Sequence, residues 1–244
     1  LSSAASDVYK RQSMGIFIKK KRYAMLIYDD EGVRKDVDGK PGKIKAMGLD
    51  LKRSDTPDYM QNFLMDVLIK ILTDGTQEDV IKMVKVFKKE FRAKPGWEKG
   101  TPKRVNNLTM YKNKIQKIAK QQGKDFKLEG EDNKKDKVHL PGHVSAALNW
   151  NTLRELNGDK YSIEIVDGMK TIVCKLRPNA LKMTSVAYPI DENRIPEWFQ
   201  ELPFDHELME NTIIDKKLDN LIGVLKWDLS DADASEQFQS LFEF

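Results

Sequence analysis

Residues 53–91 read RSDTPDYMQNFLMDVLIKILTDGTQEDVIKMVKVFKKEF, and their spacing predicts two successive helices. Ser54, Asp55 or Thr56 can cap the first, and Pro57 suits its first helical position. Phe63, Leu64, Val67, Leu68, Ile71 and Leu72 then recur at helical intervals, until Asp74-Gly75 stops the run. Thr76 caps the second helix, with Glu78 and Asp79 in the first turn, where the helix dipole favours anions. Its apolar face is Val80, Met83, Val84, Phe87 and Phe91.

Upstream, residues 14–53 read as strands. The run RYAMLIY at 22–28 ends on the turn signal DDEG, and a second apolar-rich run spans 43–52. Downstream, PGWEKGTPKRVNN reads as a loop by its Pro, Gly and Asn content. A polar helix is expected at 110–122, and a charged, mobile stretch at 123–137. An apolar helix is expected at 143–156. Residues 161–166 and 171–176, separated by DGMK, read as a hairpin. A short strand follows at 186–188 and a long amphipathic helix at 207–225. Short antiparallel strands followed by mostly helical structure with small hairpins make an α+β fold.

The chain has 244 residues, 40% of them hydrophobic and 33% charged, enough to bury a core beneath a heavily charged surface. One cysteine, Cys174, excludes an intramolecular disulfide and fits a reducing compartment. No apolar run reaches the roughly 18 residues of a membrane span. Residues 1–13 read as a non-native or disordered leader. Residues 1–143 hold 32 Lys/Arg against 20 Asp/Glu, a balance of +12; residues 144–244 hold 10 against 18, a balance of −8. A basic half beside an acidic half suits a polyanionic partner for the first half.

Four local features carry possible chemistry. KKKRY at 19–23 sets four cations before an aromatic; on a strand they would point two to each face and reach phosphates or groove edges. A solubilising edge strand is the alternative reading. RSDTP puts Arg53 just before a helix N-terminus, where free N–H groups attract anions. It is an ordinary helix cap as well. GTPKRVNN holds Lys103, Arg104, Asn106 and Asn107 as donors; alone it reads as a plain surface loop. Asp29-Asp30-Glu31 reads as a hairpin turn, not a metal-binding polymerase turn. His139, His143 and His206 have no companions that complete a zinc pattern, and Cys174 reads as a small core residue.

KKKRY, MGLDLKRSDTP at 47–57, WEKGTPKRVNN at 97–107, PGHVSAALNWN at 141–151 and the final SLFEF occur in one order. That ordered set resembles the C-terminal part of the family B DNA polymerases of large tailed bacteriophages. The resemblance implies that residues 14–53 are the last strands of the palm and 54–227 the thumb. It implies that 228–244 form an acidic tail ending in a clamp-binding motif. It implies that Lys20, Lys21, Arg22 and Tyr23 track the primer strand near its 3′ end, and that Arg53, with Ser54 beside it, contacts the same strand. Arg104 and Asn107 join the expected DNA contacts, and Leu241, Phe242 and Phe244 are the expected sliding-clamp anchor.

The family's catalytic aspartates, one in a Tyr-Gly-Asp-Thr-Asp motif, do not occur in this sequence. No catalytic residue and no cofactor is therefore expected within the chain. Two Mg ions are implied for the full enzyme. The expected role is to hold primer–template DNA for a nucleotidyltransferase, as a monomer in the infected host's cytoplasm. A stand-alone duplex-binding module and an adaptor acting through its tail are the alternatives.

Overall fold

The computed structural model describes residues 15–39, 41–73, 75–122 and 139–233. The expected leader, the Lys-rich stretch beyond residue 122 and the clamp residues Leu241, Phe242 and Phe244 lie outside the described residues. The chain opens with β1 (Gly15–Lys19), β2 (Arg22–Ile27), β3 (Asp29–Asp30), β4 (Val33–Arg34) and β5 (Lys43–Met47). Helices α1 (Asp58–Leu72) and α2 (Gln77–Ala93) follow. Next come β6 (Thr101–Arg104), α3 (Leu108–Gln122), α4 (Gly142–Leu156), β7 (Lys170–Lys175) and β8 (Ser185–Pro189). The described chain closes with α5 (Glu197–Gln200), α6 (His206–Glu210) and α7 (Lys216–Ile222). The fold is α+β, with antiparallel pairing throughout.

The chain divides into two compact units: the described residues of Leu1–Ala93 and Asn211–Phe244, and those of Lys94–Glu210. The boundary expected at 53/54 falls inside the first unit.

In the first unit, β2 is the central strand of a sheet ordered β1-β2-β5. Ala24 and Leu26 are buried on one face, whereas Tyr23, Met25 and Ile27 lie on the other, the period of two that a half-covered strand requires. Asp29-Asp30 pairs with Val33-Arg34 across a tight turn, with Glu31 (φ 57°) and Gly32 (φ 81°) both left-handed. The Gly32 amide donates to Asp29 (2.8 Å), and Asp30 is paired with Lys43 (2.7 Å), which lowers its pKa. These acids build a hairpin turn, as the sequence implies.

Helix α1 buries Met60, Phe63, Leu64, Val67, Leu68 and Leu72, and packs against α2, α7 and β2. Its N-terminus differs from expectation. Pro57 is the cap residue, and no side chain caps the helix. Asp55 is bonded to Arg53 instead, and Thr56 Oγ1 accepts from Lys217 Nζ (2.8 Å). Helix α2 starts as expected: Thr76 Oγ1 accepts from the Asp79 amide (3.2 Å), and Asp79 accepts from the Thr76 amide (3.1 Å). The helix expected at 207–225 is interrupted by a π-helical stretch at Asn211–Asp215, where the adjacent residues Ile213 and Ile214 are both buried.

The second unit corrects two readings. Thr101–Arg104, read as a loop, is strand β6, and it pairs with β7 in a sheet ordered β6-β7-β8. Residues 161–166, read as a strand, form no ladder. Side chains satisfy their backbone instead. Asn151 Nδ2 donates to the Ile165 carbonyl (2.8 Å), and the Ile165 amide donates back to Asn151 Oδ1 (2.9 Å). Trp150 Nε1 donates to the Ile163 carbonyl (2.9 Å), and Glu192 accepts from the Ile163 amide (2.8 Å). Helix α4 is buried on nearly every side, so its asparagines bond backbone groups within the core. Cys174 is a buried core residue, as read from the sequence, and burial pushes its thiol pKa up.

Candidate nucleic-acid interface

KKKRY is a hairpin tip rather than one continuous strand. Lys19 ends β1, Lys20 and Lys21 form the turn, and Arg22 begins β2. Lys19 pairs with Arg22 and Phe17 with Tyr23, with a bulge between the two pairs. The cations therefore cluster at one end of the hairpin instead of alternating across a sheet. Lys19, Lys20 and Lys21 are exposed, whereas Arg22 and Tyr23 are half-buried. Lys21 adopts a left-handed backbone conformation (φ 64°).

This tip is held from the side. β5 ends at Met47 opposite Tyr23, and Gly48 (φ 68°) follows against the turn. A Cβ on Gly48 would collide with the Lys21 carbonyl oxygen and come 3.0 Å from Arg22 Cγ. Only glycine permits both the conformation and the approach. Phe17 stacks on Tyr23, with ring centroids 6.0 Å apart. Gly48 did not emerge as a site residue from sequence reasoning. The signal was a glycine between an apolar strand and the LDLKRS segment.

Arg53 lies three residues after Asp50 and reaches the carboxylates on both sides of it. Its Nε and Nη2 donate to the two oxygens of Asp55 (3.0 and 3.1 Å), and its Nε lies 3.3 Å from Asp50. The hydrogen bonds and charge of Asp55, then the charge of Asp50, raise the pKa of its guanidinium. Ser54 is exposed beside it in the turn before α1. Arg22 and Gly48 also line a small cleft with Asp50, Lys217 and Asn220, so the hairpin base and the Arg53 turn are neighbours within the first unit.

Arg104 and Asn107 belong to the second unit. Arg104 ends β6 opposite Lys170, and its Nε donates to the Gly168 carbonyl (3.0 Å). The Val105 amide donates to the Met169 carbonyl (2.9 Å), and the Gly168 amide donates to the Val105 carbonyl (2.7 Å). Asn107 is exposed, left-handed (φ 64°), and its carbonyl accepts from the Tyr111 amide as α3 begins (3.1 Å). The Asp167 carboxylate accepts from the amides of Leu108 and Thr109 (the latter 2.9 Å). The Thr109 side chain, then these amides, lower its pKa. The loop is thus fixed by the DGMK turn, and the first free amides of α3 are already occupied. Helix α3 itself carries Lys112, Lys114, Lys117 and Lys120, cations that sequence reasoning assigned to no role.

Among the described residues no group of three or more His, Cys, Asp or Glu is arranged to hold a metal ion. No described helix is long and apolar enough to cross a membrane.

No family model matches this sequence. A curated relative is the DNA-directed DNA polymerase of Enterobacteria phage T4, 33% identical over 100 residues. The matched segment is 41% of this chain and 11% of the relative. The chain is therefore similar, over part of its length, to a bacteriophage DNA-directed DNA polymerase.

Proposed function

We propose that this chain is the DNA-holding C-terminal part of a bacteriophage replicative DNA polymerase of family B. It serves template-directed nucleotidyl transfer by gripping primer–template duplex in the infected host's cytoplasm. The observation that carries this reading is the KKKR hairpin tip: three exposed lysines and an arginine gathered at a turn that Gly48 backs closely. Clustered cations on a braced backbone suit phosphate and groove-edge contacts better than a solubilising edge strand, which needs no fixed tip. The partial similarity to the phage T4 polymerase supports the same reading.

In this account Lys20 and Lys21 contact the primer strand, while Arg22 and Tyr23 set the angle of the tip. Arg53 exchanges Asp55 for a phosphate when DNA binds, and Ser54 donates its hydroxyl beside it. Arg104 and Asn107 supply duplex contacts from the second unit. Asp50 and Asp55 around Arg53 fit this account as place-holders that keep the guanidinium ordered until DNA arrives. Leu241, Phe242 and Phe244 form the clamp anchor; three buried apolar side chains at about 1.5–3 kcal/mol each can hold a short peptide after its ordering cost.

A primer–template with a photoreactive nucleotide near the primer 3′ end tests the assignment. Cross-links should map to the peptide containing Lys20–Tyr23. Cross-linking confined to other peptides would overturn it. For the tail, replacing Leu241, Phe242 and Phe244 with Ala should abolish capture by the sliding clamp and leave duplex binding intact.

A further inference from the structure

The outer surface of the α1–α2 pair carries an apolar groove of about 480 Å³ that the DNA-binding account does not use. Phe63 and Phe87 stack face to face in it, with centroids 3.8 Å apart and planes 7° apart. Met83 and Val86 complete the apolar lining, and Val86 is 60% exposed. An exposed valine beside stacked aromatics is the kind of contiguous patch that usually serves an interaction.

The described chain ends against α2, one of the two helices that form this groove. Residues 230–233 form a 3₁₀ turn that packs on α2, with Ala232 buried. Gln77 Nε2, at the start of α2, donates to the Asp228 carbonyl (2.8 Å). The remaining residues, 234–244, read ASEQFQSLFEF. Phe238, Leu241 and Phe242 fall at i, i+3 and i+4, the spacing of one apolar helix face. From Asp233 to Phe238 the chain can extend about 17 Å, while Gln77 and Phe87 are separated by about 15 Å along α2. Along the helix axis, the tail therefore has the length to run from the start of α2 to the level of Phe87.

Charge agrees with that direction of approach. Residues 228–244 hold Asp228, Asp231, Asp233, Glu236 and Glu243 and no Lys or Arg. Lys82 and Lys85 follow Gln77 on α2, so the acidic stretch meets them before the apolar trio arrives. Asp66 and Glu90 also line the groove and disfavour the opposite polarity, in which the acidic stretch would lie beside them.

We propose that the groove lined by Phe63, Met83, Val86 and Phe87 is the intramolecular seat of the tail, with Phe238, Leu241 and Phe242 as its anchors. This seat does not depend on the polymerase reading. Where that reading also holds, seat and sliding clamp compete for Leu241 and Phe242, so the tail is released only when a better partner is present.

A nitroxide attached through Ser240→Cys in the full chain tests this, because Cys174 is buried and leaves the new thiol as the reactive one. The amide signals of Met83 and Val86 should be lost to paramagnetic broadening. The Met83 signal should return in Val86→Glu, and both signals in a tail variant with Phe238, Leu241 and Phe242 changed to Ser. Broadening that survives both sets of changes, or that never appears, overturns the seat. Broadening of unlabelled copies mixed with spin-labelled ones would show pairing between chains and overturn it equally. Neither outcome bears on DNA binding, so failure here is distinct from failure of the polymerase reading.

Discussion

Gly48 faces the carbonyl oxygen of Lys21 with no room for a side chain between them. This one approach ties the end of β5 to the cationic tip. Gly48→Ala would have to relieve both the collision and a left-handed backbone. We expect it to destabilise the chain by about 1–3 kcal/mol. Duplex affinity should fall beyond the loss of folded protein, because the tip shifts. Chemical denaturation and binding isotherms on the same variant check both parts.

Asn151 completes two hydrogen bonds with the backbone of Ile165 inside the core of the second unit. Asn151→Ala leaves a buried N–H and a buried C=O without partners, at a cost of about 2–4 kcal/mol. Asn151→Asp keeps the acceptor and loses the donor, so it should still be destabilising. Urea unfolding monitored by tryptophan fluorescence measures this directly, since Trp150 is the neighbouring residue.

Arg53 and Asp55 make a bidentate pair whose arginine is half exposed. Such a pair adds little to stability. Asp55→Ala should therefore leave the melting temperature nearly unchanged, while it raises duplex affinity at low salt by freeing Arg53. The salt slope should stay nearly the same, because Arg53 meets a phosphate in both bound complexes. In the Arg53→Ala background the same change should raise affinity less.

Lys99 Nζ lies 2.8 Å from His206 Nδ1, with Lys99 buried. Burial, then the charges of Lys99 and Arg177, lower the pKa of His206, against an opposing effect of Asp205. His143 is lowered too, by burial and then by Lys103. The unfolded chain then binds more protons than the folded one below the ordinary histidine value of 6.5. Stability is fully present above that pH and declines as pH falls through the lowered folded values. Melting temperatures from pH 8 to pH 5 should show the decline, and His206→Asn should flatten part of it.

The helices were legible because their periodicity is strong: the apolar spacing at 63–72 and 80–91 matches α1 and α2, and the Thr76–Asp79 box marks a helix start. The strands at 22–27 and 43–47 were legible for the same reason. Residues 161–166 were not, because their alternation matches a strand while Asn151 and Trp150, distant in sequence, satisfy the backbone instead. Thr101–Arg104 looked like a loop because Pro102 is a poor ladder residue; it is tolerated on β6, an edge strand. At the candidate interface, composition drew attention to the KKKR cluster but could not show that a turn gathers it. The Asp55 clamp on Arg53 was equally hidden, since the same Asp read as a helix cap.

The central claim is that the hairpin tip, the Arg53 turn and the Arg104 loop hold duplex DNA. The most direct measurement is the affinity of the chain for primer–template duplex across a salt series. It compares the parent with a Lys20→Ala, Lys21→Ala, Arg53→Ala, Arg104→Ala variant shown by circular dichroism to be folded. The account predicts a steep salt dependence for the parent. For the variant it predicts weaker binding at low salt and a slope shallower by up to about 3.6, roughly 0.9 for each phosphate contact removed. Equal affinity and equal slope for the two proteins would contradict it.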